Sequence, residues 1–364
     1  MKFIDLDTQY SKIENNLKKR FETIFSHKQF INGPEVAALE EKLAEYVGVN
    51  HCITTANGSD SLFLSLMALG IGKGDEIITS PFTYIATAEM IQLVGATPVF
   101  VDIDDDTFNI NPDKIENKIN GNTKAIMPVS IFGQCADFNR IMSIAKKHQL
   151  FVIEDGAQSF GASLDGRKSC SFGDIGCTSF FPTKPLGCYG DGGAIFTNDK
   201  SIDNLLRSLK NHGQASKNEF THLGINSRLD SIQAAVILEK IEIFNHEIEL
   251  RQSNANRYSN LLSLDEKTLQ TPIVIKNGSS VWAQYTIKID NRDQIITKLK
   301  KENVPYAIYY EKPLYHYLPY QGSKNNADCP VAEKVCNRVL SLPIHPWLAE
   351  KDQQKIADTI RSAI

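Results

Sequence analysis

An α/β chain with a mostly parallel, buried sheet is predicted by three features of the sequence. Short apolar runs alternate with amphipathic stretches at helical spacing through roughly the first two-thirds of the chain. Those runs are continuous rather than apolar–polar alternations, as strands covered on both faces require. Beyond about residue 265 the pattern changes to an alternating strand with short helices, which predicts a smaller α+β C-terminal domain.

The first helix is predicted over residues 10–28, with Ile13, Leu17, Phe21, Ile24 and Phe25 at helical spacing. Asn32-Gly-Pro-Glu35 marks a turn and a second helix start, Pro34 suiting the first helical turn. Strands are predicted at 51–55, 76–79, 98–101, 125–129, 151–155, 175–180 and 193–197, which makes a seven-stranded sheet. Between them lie a helix carrying Leu62, Phe63, Leu66 and Leu69, and others over 86–94 and 141–148. A pair of helices is predicted over 227–243 and 246–262. A strand over 281–289 and helices over 292–302 and 331–339 complete the chain. The division predicted is a large domain over 1–245 and a small one over 246–364.

At 364 residues the chain is long enough for a large core and a second domain, and 42% hydrophobic with 23% charged content is ordinary for a soluble globular protein. A net charge of -4 gives no electrostatic case for nucleic acid or an anionic membrane, so an anionic substrate needs a locally basic pocket. The seven cysteines are scattered singly, without a CxxC pair or zinc spacing, as expected of reduced thiols in a cytoplasmic protein. The N-terminus has no apolar signal-peptide core, and no run approaches the ~18 apolar residues of a membrane span. The acidic run Asp102-Ile-Asp-Asp-Asp106 reads as a solvated loop rather than a metal site, and no metal is expected.

The stretch Thr178-Ser-Phe-Phe-Pro-Thr-Lys-Pro-Leu-Gly-Cys-Tyr-Gly-Asp-Gly-Gly193 carries one lysine, Lys184, in a glycine-rich loop. A desolvated lysine held in place forms a Schiff base with a carbonyl compound. Asp155, at the end of the strand 151–155, is a carboxylate suited to a pyridinium nitrogen, and the two together are what pyridoxal phosphate (PLP) chemistry needs. Read alone, they are equally a loop lysine and a helix cap. Gly58-Ser59 sits where a strand runs into a helix, a place for a phosphate or simply an ordinary cap. Ser179 is a second phosphate donor, and Tyr84 is either a ring-stacking aromatic or core. Gly58, Tyr84, Asp155, Ser179 and Lys184 all follow predicted strands, where ligands of open α/β sheets bind.

These residues lie in motifs similar to those of the PLP-dependent nucleotide-sugar aminotransferases of the DegT and StrS type. The carrying motifs are Ala56-Asn-Gly-Ser-Asp60, Pro81-Phe-Thr-Tyr-Ile-Ala-Thr87, Glu154-Asp-Gly-Ala-Gln-Ser-Phe-Gly161, the Lys184 loop, Gly224-Ile-Asn-Ser-Arg-Leu-Asp230, Val304-Pro-Tyr-Ala-Ile-Tyr-Tyr-Glu-Lys-Pro-Leu314 and Ser341-Leu-Pro-Ile-His-Pro346. The resemblance runs from Phe3 to the end and implies a fold-type-I aminotransferase, a homodimer with shared active sites. It implies that Lys184 carries the cofactor and moves the substrate proton, and that Asp155 holds the pyridine nitrogen protonated. Gln158 matches the residue beside the cofactor hydroxyl, Tyr84 the stacking ring, and Gly58, Ser59 and Ser179 the phosphate ligands. Asn226 matches a phosphate ligand supplied by the partner subunit. Arg228 matches a substrate-facing cation, unless it simply pairs with Asp230. Tyr309 and Tyr310 match a sugar-facing loop presented by the neighbouring subunit.

The implied reaction moves the amino group of L-glutamate to a nucleotide-linked keto sugar. The chain most resembles the branch acting on UDP-2-acetamido-2-deoxy-3-oxo-glucuronate in bacterial surface polysaccharide synthesis (lipopolysaccharide, O-antigen). That branch has histidine at the position of Tyr309, which keeps a 3- or 4-oxo-6-deoxy sugar as the alternative. A non-catalytic sensor of the same fold is a further alternative; Lys184 argues against a dehydratase, which has histidine there.

Overall fold

The computed structural model describes residues 1–263, 268–320 and 328–364. Its centre is a sheet of seven strands, β1 (His51–Thr55), β2 (Glu76–Thr79), β3 (Thr97–Phe100), β4 (Thr123–Met127), β5 (Phe151–Asp155), β6 (Ile175–Ser179) and β7 (Gly193–Thr197). Their spatial order is β1-β7-β6-β5-β4-β2-β3. Only β7 runs against its neighbours β1 and β6; the pairs β6–β5, β5–β4, β4–β2 and β2–β3 are parallel. All seven predicted strands are present: β1, β2, β5 and β7 have the expected bounds, and the ends of β3, β4 and β6 shift by one or two residues.

Helices cover both faces, which is why the strands read as continuous apolar runs. On β5, Val152 packs with Phe138 and Ile141 of α5 (Phe138–His148), whereas Ile153 packs with Leu62 and Leu64 of α3 (Gly58–Ala68) and Ile91 of α4 (Ala86–Leu93). Side chains alternate along a strand. Glu154 therefore follows Val152 toward α5, and Asp155 follows Ile153 toward α3 and α4. Helices α1 (Leu6–His27) and α2 (Pro34–Val47) pack at the β1 side, and α6 (Lys200–Leu209) lies against α3. Pro34 takes the first turn of α2, as its residue type predicts.

The expected helical pair is one continuous helix, α7 (Ser231–Leu261), of 31 residues. Residues 243–246 contain neither Pro nor Gly, and buried Phe244 and Glu247 keep one face inside across the expected break. The start also differs: Asn226 to Asp230 lead in without helix, and Asp230 is the N-cap. The expected boundary at 245/246 falls inside α7. Its first half packs with the large core through Ala234 and Phe244, its second with the C-terminal core through Ala255 and Tyr258.

That C-terminal part is a three-stranded antiparallel sheet, β8 (Leu269–Gln270), β9 (Tyr285–Ile289) and β10 (Val339–Leu342), with α8 (Arg292–Lys301), α9 (Pro330–Cys336) and α10 (Glu350–Arg361). Val339, expected at a helix end, starts β10. The acidic run is a joint rather than a solvated loop. Asp102 is buried and accepts from the Val331 and Ala332 amides at the start of α9 (3.2 and 2.9 Å) and from Lys114 Nζ (2.7 Å), while Asp105 pairs with buried Lys288 of β9 (3.0 Å). Among the described residues no group of His, Cys, Asp and Glu is arranged to hold a metal, and no helix is long and apolar enough to cross a membrane. All seven cysteines are free and buried.

Candidate active site

The carboxyl ends of β1, β2, β5 and β6 deliver the expected residues to one edge of the sheet. After β5, Asp155 is buried, with its backbone held by Pro128 and Ser130. Its carboxylate accepts from Thr87 Oγ1 of α4 (2.7 Å) and from the Ala157 amide (3.2 Å). Burial raises its pKa, against the two hydrogen bonds and the charge of Lys184. After β6, the Lys184 turn closes on itself through the Lys184 amide to the Phe181 carbonyl (2.8 Å) and the Cys188 amide to the Phe180 carbonyl (2.7 Å). Burial lowers the Lys184 pKa, and Asp155 opposes that. An amine pushed toward its neutral form within electrostatic reach of a buried carboxylate is equipped as a nucleophile and a base.

After β1, Asn57 caps α3 by accepting from the Asp60 amide (2.8 Å). Gly58 and Ser59 occupy the first turn, where amides lack intrahelical acceptors. A Cβ on Gly58 would stand 2.6 Å from the Ser179 Cβ, so glycine is what lets the α3 amides and the Ser179 hydroxyl converge. Two elements thus build a concave, amide-lined cradle suited to a phosphate dianion. Tyr84, between β2 and α4, is 60% exposed, its ring uncovered by protein rather than part of the core.

Gln158 is buried and fixed from two sides: its Oε1 accepts from the Phe132 amide (3.0 Å) and its Nε2 donates to the Tyr310 hydroxyl (3.0 Å). Burial raises the Tyr310 pKa, and Asp155 and Tyr84 are close enough to add to it. Tyr310 therefore lies at the Gln158 of its own protomer, which corrects the expectation that this loop serves the neighbouring subunit. The cause is the bridge between Ala307 and Ser341, which fastens the loop to β10 of the same chain.

Asn226 and Arg228 line a hollow with Ile31, Ala56, Gly190 and Gln233. It adjoins the turn into Gly58, where the Ala56 amide donates to Ser227 Oγ (3.1 Å). Arg228 makes no ion pair with Asp230; its Nη1 donates to Asn211 Oδ1 (3.3 Å), and its buried Nε has no partner among the described residues. Sequence reasoning passed over Thr87, the direct partner of Asp155. Its only signal was a hydroxyl three residues beyond Tyr84, on the first turn of α4.

A desolvated lysine within electrostatic reach of a buried aspartate, at the sheet edge that also holds a helix-terminus phosphate cradle, defines a pyridoxal phosphate–dependent enzyme. The model of the DegT/DnrJ/EryC1/StrS aminotransferase family matches residues 11–361, and the chain belongs to that family. It is 49% identical over 348 residues to the UDP-2-acetamido-2-deoxy-3-oxo-D-glucuronate aminotransferase of Pseudomonas aeruginosa, covering 96% of each chain. It is 41% identical over 362 residues to the UDP-N-acetyl-3-dehydro-alpha-D-glucosamine 3-aminotransferase of Acidithiobacillus ferrooxidans, covering 99% of this chain and 97% of that one. It superposes on S. venezuelae DesV in complex with a ketimine intermediate with a TM-score of 0.96 at 32% identity, covering 99% and 97% of the two chains. The protein is a nucleotide-sugar aminotransferase.

Proposed function

We propose that the chain moves the amino group of L-glutamate to C3 of UDP-2-acetamido-2-deoxy-3-oxo-glucuronate, as a cytoplasmic homodimer feeding surface polysaccharide synthesis. The observation that carries the reaction is that the Lys184 amine, its basicity lowered by burial, stands within electrostatic reach of buried Asp155. The sugar rests on the similarity along nearly the whole chain to a relative of that activity. Bound PLP supplies a ring that accepts electrons from the carbon bearing the amino group. Lys184 takes the proton from that carbon of glutamate and later delivers one to C3 of the sugar. Its depressed basicity lets it do both near neutral pH. Asp155 holds a proton on the ring nitrogen; a cation there reverses the cost of burying its charge. The Gly58 and Ser59 amides with the Ser179 hydroxyl would hold the phosphate, Tyr84 would cover one face of the ring, and the Gln158 amide would hold the ring oxygen.

Tyr309 and Tyr310 border the sugar. Arg228, with an unpartnered Nε, is suited to a carboxylate, and Asn226 to a phosphate across the dimer. The dimer is supported by apolar side chains left in water beside that hollow: Ile31 lines it 44% exposed, and Leu223, just before the Asn226 segment, is 90% exposed. Tyr309, a neutral phenol where the uronate branch has histidine, favours a 3- or 4-oxo-6-deoxy sugar as the second reading.

The test runs the second half-reaction backwards. Mixing the PLP-loaded protein with UDP-2-acetamido-3-amino-2,3-dideoxy-glucuronate should bleach the visible band of the cofactor. Bleaching by glutamate but not by the amino sugar would overturn the uronate assignment while leaving the transaminase.

A further inference from the structure

The turn that presents Lys184 is gripped from behind by α7. Lys240 is buried, 1% exposed, and its Nζ donates to the carbonyl of Gly187, three residues past Lys184 (2.6 Å). The same ammonium lies 4.2 Å from the ring centre of Tyr189. Two turns earlier, Gln233 Oε1 accepts from the Tyr189 amide (2.9 Å). Residues 233 and 240 are seven apart and share one face of the helix.

Burial pushes Lys240 down to about 8 against the charge of Glu247, which pairs instead with Arg251 (3.6 Å), and among the described residues no carboxylate forms an ion pair with Lys240. A buried ammonium without an ion-pair partner costs free energy that a methionine of similar length would not. What the lysine adds is the bond to Gly187 and the contact with Tyr189. Gly187 lies close against the start of the turn, where a Cβ would stand 2.5 Å from the Phe181 carbonyl oxygen. Farther along, α7 is pinned to the C-terminal part, where Asn254 Nδ2 donates to the His345 and Pro346 carbonyls (3.0 and 3.2 Å). The helix is thus a strut fixed at both ends.

We propose that Lys240, assisted by Gln233, is a positioning residue that sets where the Lys184 amine stands, by anchoring the far side of its turn to α7. This rests on the reading of Lys184 as the lysine that carries the cofactor. The test compares cofactor-loaded wild type with Lys240→Met and Lys240→Arg. Lys240→Met should fold, bind PLP and show the visible band. Its rate of reaction with glutamate should fall roughly 10- to 100-fold, the scale of a misplacement near 1 Å, with little change in KM. The pH midpoint of the visible band should move as the amine leaves its place, and Lys240→Arg, which keeps a donor, should recover most of both.

A Lys240→Met protein with wild-type rate and pH midpoint overturns the proposal. If Lys240→Met does not fold, Gln233→Leu, at a half-buried position, decides: a smaller loss in the same direction supports it, and no change overturns it. A visible band that survives Lys184→Ala overturns the reading of Lys184 and this proposal together. An inert Lys240→Met in a protein whose band requires Lys184 overturns this proposal alone.

Discussion

Glu154 points from β5 toward α5, and Asp155, one residue on, points toward α4. Both are buried. Glu154 accepts from Ser169 Oγ (2.6 Å), the Cys170 amide (2.8 Å) and Ser130 Oγ (3.2 Å), so its oxygens are used up by the loops they fasten. Among the described residues Asp155 has only the Thr87 hydroxyl and the Ala157 amide, and it feels the charge of Lys184. A carboxylate has room for about four hydrogen bonds. Sharing a strand and a depth, the two differ in what remains to be bound: Glu154 is a completed structural post, and Asp155 keeps lone pairs for a cation from outside the chain. Burial alone, or a raised pKa alone, does not separate a site residue from a support.

The sharpest way to break this contrast is to neutralise Asp155. Asp155→Ala should stay folded and lose roughly 10²- to 10⁴-fold in kcat/KM for glutamate, the range of a lost proton-holding group; a fully active variant would erase the distinction. Glu154→Gln should act on stability instead. Burial raises the Glu154 pKa from 4.5 to about 7. The folded state therefore binds the extra proton in between, and the contribution of Glu154 is fully present below about 4.5 and lost as pH rises through about 7. The advantage of wild type over Glu154→Gln should shrink by on the order of 3 kcal/mol across that window, read from urea midpoints at either side of it; equal slopes would contradict the assignment.

Two smaller changes sharpen the comparison at the Asp155 end. Thr87→Val removes one of two donors and should cost about 1 kcal/mol, roughly fivefold in kcat/KM, with unchanged stability at low pH, where the carboxylate is protonated. Tyr310→Phe removes the acceptor for Gln158 Nε2 and should cost about 0.5–1 kcal/mol, seen as a small spectral shift of the bound cofactor before any loss of rate.

The strands were legible because a doubly covered sheet demands continuous apolar runs, and 151–155 and 193–197 were placed to the residue. Lys184, Asp155 and Gly58 were singled out by the motifs they lie in, because residue type alone left each of them an ordinary loop or cap residue. Their partners were not: Thr87 and Lys240 are ordinary helix residues whose role exists only once α4 and α7 pack against the sheet. Continuity of α7 was missed because polar Asn245 and His246 resemble a break, while the burial of Phe244 and Glu247 that overrides it is tertiary. Asp102 was misread for the opposite reason, as a charge in an acidic run whose partners at 331 and 332 lie far along the chain.

The most direct test is to fix the bound cofactor to its amine with sodium borohydride and map the modified peptide. This structure expects all of the label on Lys184 and none in Lys184→Ala. Label on Lys240, the other buried lysine of low basicity near the turn, would contradict the account at its centre.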